Sequence, residues 1–281
     1  MTTTLRPTGP IQQSSGGARV RAYAVCVNSR VVGGLELGTD TPFGPVVGEI
    51  RGLRIDEPDR GRGRGAVAAL AAEEVLRSWN CSRVRTSVPA DSAAGNRLAA
   101  ALGYRELGRN MAKELGEEAR PLPAGVVGRP MTAEEFGPWR ERAVDEYAQD
   151  WADRGLPVEA ARTKSRNDHD ALLPQGLETP GLWLSVLAER DGGAALGHVW
   201  VAENEVLPGR RGTYVFNVEV AERHRGRGHG RSLMLLAEQV SVAAGSRLLG
   251  LHVFSGNTPA LRLYESLGYR PTSYNYAKDL V

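Results

Sequence analysis

The sequence is poor in cysteine and in lysine, with only Cys26, Cys81, Lys113, Lys164 and Lys278 present. Two cysteines so far apart exclude a disulfide framework and a cysteine-based metal site. This usage fits a reducing cytosol, so we expect a cytoplasmic protein. Because the other 32 of the 35 basic residues are arginine, an Arg-rich stretch is not by itself evidence of function.

A metal-ligand pattern, a membrane span and an excess of one charge are also missing. The five histidines show no spacing such as His-x-x-x-His, so we expect no metal. No apolar run approaches the roughly 20 residues of a membrane-spanning helix, so we expect no membrane partner. The net charge is +2, with 24% charged residues, which excludes the global basic field typical of proteins that mainly bind nucleic acid.

What the chain does have is an internal repeat. Shifting the sequence by 165 residues superposes 51–115 on 216–280 without a gap, and 21 of the 65 positions are identical. The matches cluster in R-G-R-G-x-G, in L-G-Y-R and in N-x-A-K. A length of 281 residues also suits two domains, because single cores favour about 100–150 residues. The sequence therefore predicts two copies of one domain.

Composition sets the predicted domain boundaries. Residues 1–17 are polar and predict a disordered tail. The first copy follows at 18–116, and a proline-containing linker is predicted at 117–127. The second copy occupies 128–281.

The second copy has an additional front end. Thr132-x-x-Glu135 is a capping box that predicts a helix to about Arg154. Pro157 predicts the start of another helix, ending near Leu173. The first copy has no counterpart of these helices, so it is truncated at its front end.

Hydrophobic periodicity predicts the remaining elements of the second copy. These are strands at Trp183–Glu189, Leu196–Ala202 and Tyr214–Val220, a helix stopped by Gly245, a strand at Leu248–Phe254, and a helix from Thr258 to Gly268. The first three strands should form an antiparallel meander. A strand, loop, helix and strand in this order imply a crossover within a mixed sheet, hence an α/β fold.

A Gly-rich loop joins a strand directly to a helix in the second copy. Its glycines let an anion approach the backbone, unpaired N–H groups point out of the helix N-terminus, and arginines add charged donors. The spacing matches neither G-x-G-x-x-G nor a Walker loop. The pattern predicts a pyrophosphate site, and the alternative is an Arg/Gly-rich disordered or RNA-binding segment. The residues concerned are Arg225, Gly226, Arg227, Gly228, His229, Gly230 and Arg231.

The loop and a second motif together resemble the GNAT superfamily of N-acetyltransferases. The loop at 225–230 is similar to the family's acyl-CoA motif, and N-x-x-A-x-x-x-Y-x-x-x-G-Y at 257–269 is similar to its second motif. The resemblance implies two tandem GNAT-type domains, each a mixed, mostly antiparallel twisted sheet flanked by helices. The division between two copies also resembles mycothiol synthase, in which the C-terminal half is catalytic.

The resemblance also implies roles for individual residues. The backbones of Val218 and Val220 would hold the pantetheine arm of acetyl-CoA where the sheet splays. Tyr264 matches the general acid that protonates the departing thiolate, and its alternative is a tyrosine packed on the sheet. Glu219 is our candidate base, acting through water, and its alternative is a surface glutamate. Asn257 would bind pantetheine, cap its helix, or do both.

Other residues remain alternatives. His224 and His252 rank below Glu219 as bases, and His229 is predicted to contribute backbone rather than catalysis. The same offset places Arg54, Ser92 and Ala99 at the positions of Glu219, Asn257 and Tyr264, so the first copy lacks both acid and base. It keeps an anion loop that forms a possible second CoA site, made of Arg60, Gly61, Arg62, Gly63, Arg64 and Gly65.

The predicted function is acyl-CoA-dependent N-acylation, most simply of a small-molecule primary amine by acetyl-CoA in a ternary complex. The alternatives are a protein N-terminal or lysine acetyltransferase, a non-catalytic CoA sensor or partner-binding module, and nucleic-acid binding through the loops. A homodimer is an open possibility. A cationic acceptor would fit the acidic front helix, although a solvated helix face explains its charges as well. Its acidic residues are Glu134, Glu135, Glu141, Asp145, Glu146, Asp150 and Asp153.

Overall fold

The computed structural model describes residues 2–14, 17–40, 46–153 and 157–280. Residue contacts divide the chain into two compact units. Unit 1 comprises Met1–Leu107, Ala148–Lys164 and Ser273–Val281, and unit 2 comprises Gly108–Tyr147 and Ser165–Thr272. The units therefore do not follow the linear boundaries that composition predicts, because each contains the last strand of the other repeat.

The first repeat contains seven strands and two helices within its described residues. They are β1 (Thr3–Pro7), β2 (Gln12–Gln13), β3 (Arg19–Val27), β4 (Arg30–Asp40), β5 (Val46–Ile55), α1 (Arg64–Ser78), β6 (Cys81–Pro89), α2 (Ala93–Ala101) and β7 (Arg105–Glu114). The sequence prediction of a disordered tail is wrong for β1, which pairs antiparallel with β3 along its whole length. A segment this short and polar becomes a strand only because a neighbour offers hydrogen-bonding partners.

The second repeat contains six strands and four helices within its described residues. They are β8 (Val126–Pro130), α3 (Ala133–Asp153), α4 (Val158–Leu172), β9 (Leu182–Glu189), β10 (Ala195–Leu207), β11 (Arg210–Val220), α5 (His229–Ala243), β12 (Leu248–Phe254), α6 (Thr258–Leu267) and β13 (Arg270–Asp279). Strand β8 pairs with β9 from Val126 onward, so the end of the predicted linker is sheet. The predicted helix end at Arg154 lies outside the described residues. In the part of the chain that the structure describes, no helix has the length and hydropathy to cross a membrane.

Unit 2 has the strand order β7-β12-β11-β10-β9-β8. Strands β9, β10 and β11 form the predicted antiparallel meander, and β11 pairs parallel with β12 through the α5 crossover. Helix α5 covers one face of this sheet, where its side chains Leu233, Met234 and Leu236 join the main core of unit 2.

Helix α3 contributes to a second, smaller core in unit 2. It gathers Trp139 of α3 with Leu184 and Trp200 of the meander. The predicted capping box starts α3: the Glu135 carboxylate accepts from the Thr132 backbone N–H at 2.9 Å, and the Glu135 N–H donates to the Thr132 hydroxyl at 3.3 Å. Arg129 also binds Glu135, and these contacts lower the pKa of Glu135 to about 2.

Unit 1 has the order β1-β3-β4-β5-β6-β13, with β2 beside β3. Its core packs α1 against this sheet, with Leu76, Val25 and Leu37 fully buried. The last strand, β13, pairs antiparallel with β6 from Ser273 to Asp279. In unit 2 the equivalent place beside β12 is taken by β7, from Gly108 to Glu114. The last strands of the two repeats are thus exchanged.

A buried Lys–Glu–Tyr triad accompanies each exchanged strand. In unit 2, Lys113 of β7 donates to Glu238 of α5 at 2.6 Å and lies 5.6 Å from the centre of the Tyr269 ring. The Glu238 side chain is only 4% exposed. Burial, and then Glu238, raise the pKa of Tyr269 well above its usual range.

The equivalent triad of unit 1 uses Lys278 of β13. Its ammonium group donates to Glu73 of α1 at 2.7 Å and lies 5.6 Å from the Tyr104 ring centre. Two of the three lysines in the chain therefore neutralise buried glutamates.

Candidate acyl-transfer site

Strands β11 and β12 separate part-way along their length. Their parallel pairing covers Thr213–Val215 and Leu249–Leu251, and it stops there although both strands continue. Residues 217–220 keep their partners on β10 but have none on β12. An extended ligand can therefore hydrogen-bond to this free side of β11, where Val218 and Val220 lie.

A β-bulge lies at the same point. Val201 pairs with Val215 but Trp200 pairs with Asn217, so Phe216 is the additional residue. Its ring stacks on Trp200 with centroids 5.2 Å apart. Bulges bend a strand and increase its twist, which accounts for the divergence of β11 from β12.

The Gly-rich loop follows β11 and opens α5. Gly226 and Gly228 have φ of 76° and 85°, in the left-handed region that only glycine adopts freely. Gly228 is the N-cap of α5, and no side chain caps this helix. The first N–H groups of α5 are therefore not satisfied by a capping side chain, which is the arrangement that binds phosphate groups.

The loop arginines differ in what they do. The Arg225 Nε donates to the Val220 carbonyl at 3.2 Å, and Arg231 donates to the Ser266 hydroxyl at 2.6 Å. These two side chains hold the loop to neighbouring elements. Arg227 is exposed, and it is the loop arginine best placed to add charge for an anion.

Tyr264 lies on α6, in the same hydrophobic cluster as Val218 and Val220. It is 6% exposed, and burial raises its pKa to about 12. Its hydroxyl makes no hydrogen bond to any described residue. Tyr264 therefore keeps its proton throughout the neutral range and has it available to donate.

Glu219 lies on the other face of β11, away from Val218 and Val220. Its cross-strand partner is His198 of β10, with 3.3 Å between Glu219 Oε2 and His198 Nε2. The two side chains are 32% and 12% exposed, respectively. The sequence prediction overlooked His198, because its pairing with Glu219 depends on a register that the bulge at Phe216 shifts.

The remaining predicted site residues are Asn257 and three histidines, and each has its own contacts. Asn257 caps α6 by accepting from the Ala260 N–H at 3.1 Å, which is one of its two predicted roles. The rings of His224 and His229 lie 6.1 Å apart, and His224 Nε2 accepts from Arg223 Nε at 2.9 Å. His252 lies on β12 with its ring 4.8 Å from that of Phe254.

Unit 1 has a corresponding cleft. The parallel pairing of β5 and β6 ends at Ile50–Thr86, and a cavity of about 480 Å³ opens beyond it. The loop Arg60–Gly65 and helix α2 complete its lining. Gly61 and Gly63 have φ of 72° and 71°, so the loop has the same left-handed glycines as the loop of unit 2.

The side chains of the unit 1 cleft are different in chemistry. Ala99 is buried where Tyr264 stands in unit 2, and Arg54 replaces Glu219. Ser92 caps α2 by accepting from the Gly95 N–H at 3.3 Å. Arg64 of the loop is buried and paired with Asp59, a carboxylate that also binds Arg30.

Comparisons with known proteins agree with this geometry. A model of the acetyltransferase (GNAT) family matches residues 6–104 and 136–269. The chain is 32% identical over 159 residues to an uncharacterized N-acetyltransferase, YycN, of Bacillus subtilis, covering 55% of this chain and 99% of that protein. It is 27% identical over 257 residues to a mycothiol acetyltransferase of Amycolatopsis mediterranei, covering 87% of this chain and 79% of that protein.

Solved structures share the fold. A GCN5-related N-acetyltransferase from Sphaerobacter thermophilus superposes with a TM-score of 0.58 at 19% identity, covering 92% of this chain and 80% of that one. A tandem GNAT protein from the clavulanic acid biosynthesis pathway has a TM-score of 0.53 at 20% identity, covering 96% and 85%. With the family match over most of its length, the chain belongs to the GNAT family of N-acetyltransferases and contains two tandem domains of that fold.

Proposed function

We propose that unit 2 transfers an acetyl group from acetyl-CoA to the primary amine of a small molecule in a ternary complex. The observation that carries the proposal is the opening between β11 and β12 beside the uncapped N-terminus of α5. A free strand side suits the amide groups of a pantetheine arm, and the helix N-terminus suits a pyrophosphate. Val218, Val220 and the loop at 225–231 would hold these parts.

The chemistry requires proton transfer at both reacting atoms, because an amine arrives as an ammonium ion and a thiolate departs. Glu219 takes a proton from the ammonium group, which frees the nitrogen lone pair for attack on the thioester carbonyl. The new C–N bond forms, the C–S bond breaks, and Tyr264 gives its proton to the sulfur. The second proton that the nitrogen loses on becoming an amide restores the Tyr264 phenol. Acetyl-CoA supplies the activated acyl group, and the protein supplies orientation and proton transfer.

The charges of unit 2 do not favour a cationic acceptor. Glu135 binds Arg129 at 2.6 Å, so this acid of α3 is already paired. Arg142, on the same helix, lies close enough to His198 to add to the effect of burial, which is the main reason that the pKa of the imidazole is lowered. Since the surroundings of Glu219 contain a cation as well as an anion, we propose a primary amine without a required second positive charge.

The test is acetyl-CoA-dependent thiol release by the full chain with a panel of primary amines. Replacing Glu219 by Gln should lower kcat/KM by about a hundredfold or more, the low end for a positioned base, while the Kd of acetyl-CoA stays unchanged. The matched control is Glu203→Gln, an exposed glutamate on β10, which should leave the rate unaltered. Binding of acetyl-CoA without thiol release for any amine would instead indicate a CoA-binding sensor.

A second proposal concerns unit 1: its cleft binds CoA without catalysis. The cavity of about 480 Å³ with the loop Arg60–Gly65 supports binding, and Ala99 and Arg54 provide neither acid nor base. Calorimetry should count two CoA molecules per chain for the wild type and one for Gly63→Glu, which introduces a carboxylate at the anion loop. The acetylation rate should be unchanged. A single CoA per chain in both proteins would refute the second site.

A further inference from the structure

His198 is a mostly buried imidazole that the proposed reaction has not yet used. It projects from β10 directly opposite Glu219, with its Nε2 3.3 Å from the carboxylate. This distance allows a proton to pass between the two groups after a small adjustment. The geometry therefore couples any proton taken by Glu219 to a second base.

The groups around His198 come from several elements. From β11, Glu219 and the Asn217 side chain favour the protonated imidazole, and from α3 Arg142 opposes it. The edge of Trp139, also on α3, lies 5.9 Å from the His198 ring. On β9 its cross-strand neighbour is Val186, which is buried and apolar.

A second imidazole of unit 2 lies beyond the aromatic side chains. His169 of α4 is 6.0 Å from the ring of Trp200 and has its Nδ1 2.8 Å from the Ser165 carbonyl oxygen. Its hydrogen-bonding partner is thus a backbone carbonyl rather than Glu219. His169 is therefore a matched reference for His198, since both lie largely buried next to the same aromatic core.

The environment keeps His198 in its base form. Burial is the largest influence and lowers the pKa of the imidazole below its usual value, although Glu219 acts in the opposite direction. An ordinary imidazole has a pKa of about 6.5 and an ordinary glutamate carboxylate one of about 4.3, so the imidazole is the stronger base of such a pair. Burial keeps His198 neutral, and it is therefore available to accept a proton that Glu219 has taken.

The unit without catalytic side chains lacks both members of this pair. Arg54 occupies the position of Glu219, and its cross-strand partner on β4 is Gly34. A glycine offers no side chain to accept a proton, and an arginine remains protonated. The ladder position at which His198 and Glu219 meet therefore has no proton-accepting side chain in unit 1.

We propose that His198 is a positioning residue that acts through Glu219 as the second stage of the base. The ammonium N–H bond breaks and the proton passes to Glu219. It then moves to His198 Nε2, which restores the carboxylate and leaves an imidazolium ion beside it. The proton is released to solvent after the acyl group has moved. This inference rests on the proposed function, because it assigns Glu219 as the residue nearest the amine.

The test is the pH profile of kcat/KM for His198→Asn and His198→Gln. The wild-type rate should fall as the pH is lowered, because protonated His198 cannot accept a proton. In both variants the rate at neutral pH should fall about tenfold or more, a part of the effect of a positioned base, and the acid limb should move to lower pH, because His198 no longer contributes to it. The Kd of acetyl-CoA should stay within about twofold.

Three results would overturn this inference. One is an unchanged profile in both variants, and another is a loss of rate without a shift of the acid limb, which would indicate packing alone. The third is an equal shift in the control His169→Asn, which would indicate a general effect of the aromatic core. If the wild type transfers no acyl group to any amine, the proposed function fails instead, and the two failures are distinguishable.

Discussion

The two repeats share a backbone design and differ in the chemistry of their clefts. The parallel pairs at which the sheets open, Ile50–Thr86 and Val215–Leu251, are separated by the same 165-residue offset. Both clefts have a loop with two left-handed glycines, and both loops lead into a helix without a side-chain cap. These features are formed by the backbone, so they can be retained while the surrounding side chains change.

The difference lies in the groups that would move protons. Unit 2 has Tyr264, Glu219 and His198, whereas unit 1 has Ala99 and Arg54 at the first two positions. An anion loop between a strand and a helix therefore indicates cofactor binding, and it does not by itself indicate catalysis. Side chains on the neighbouring strands and on the second helix decide whether a cleft of this kind can catalyse.

The largest predicted effect concerns the Lys–Glu–Tyr triads, which both units have. Replacing Lys113 by Met leaves the buried Glu238 with only the exposed Arg120, 3.6 Å away, which should lower the free energy of unfolding of unit 2 by about 3 kcal/mol. Lys278→Met should destabilise unit 1 by at least as much, since Glu73 is equally buried and Lys278 is its neutralising partner. Hydrogen exchange measured separately for α5 and α1 would report each unit.

The control for this prediction removes both charges at once. The double variant Lys113→Met, Glu238→Gln should recover most of the lost stability, because no buried charge remains unpaired. If the two single variants differ by more than about 1 kcal/mol, the triads are not energetically equivalent and the exchanged strands stabilise the units unequally.

The next effect concerns the proposed acid, a tyrosine whose equivalent position in unit 1 is Ala99. Tyr264→Phe should lower kcat by about tenfold or more and leave the Kd of acetyl-CoA unchanged, because the hydroxyl acts only on the departing sulfur. With its pKa raised to about 12, Tyr264 stays protonated as the pH rises. Activity that depends on its proton should therefore be retained to about pH 11 and lost above that.

The first repeat offers a control for this variant. Ala99→Ser changes the equivalent position in unit 1 and should not alter the acetylation rate. A large loss would mean that unit 1 takes part in catalysis, and an unchanged rate in Tyr264→Phe would remove this tyrosine from the mechanism.

Local patterns predicted the second repeat closely. The strand Leu248–Phe254 has the predicted bounds, since a continuous apolar run between turn residues determines a buried strand. Gly268 ends α6 in the left-handed conformation as expected. The prediction that Glu219 and its valine neighbours lie on opposite faces of β11 needs only the alternation of side chains along a strand, which is a local property.

Features that depend on pairing between distant segments could not be predicted. The strands β7 and β13 have the same N-x-A-K pattern, so neither sequence specifies which unit it joins. The position of His198 opposite Glu219 is known only once the register of β10 and β11 is known. The strand Thr3–Pro7 owes its conformation to its partner β3, and its polar sequence gave no local indication of that.

The smallest predicted effect again compares equivalent positions. Asn257 and Ser92 cap their helices through the same contact, to the N–H three residues later. Replacing either by Ala should therefore destabilise its helix by about 1 kcal/mol, as measured by local hydrogen exchange of α6 or α2. If Asn257 also binds pantetheine, Asn257→Ala should in addition weaken acetyl-CoA binding at unit 2. Asn257→Asp keeps the cap, so this variant separates the capping role from the binding role. Equal stability losses with unchanged acetyl-CoA affinity would leave Asn257 with capping alone.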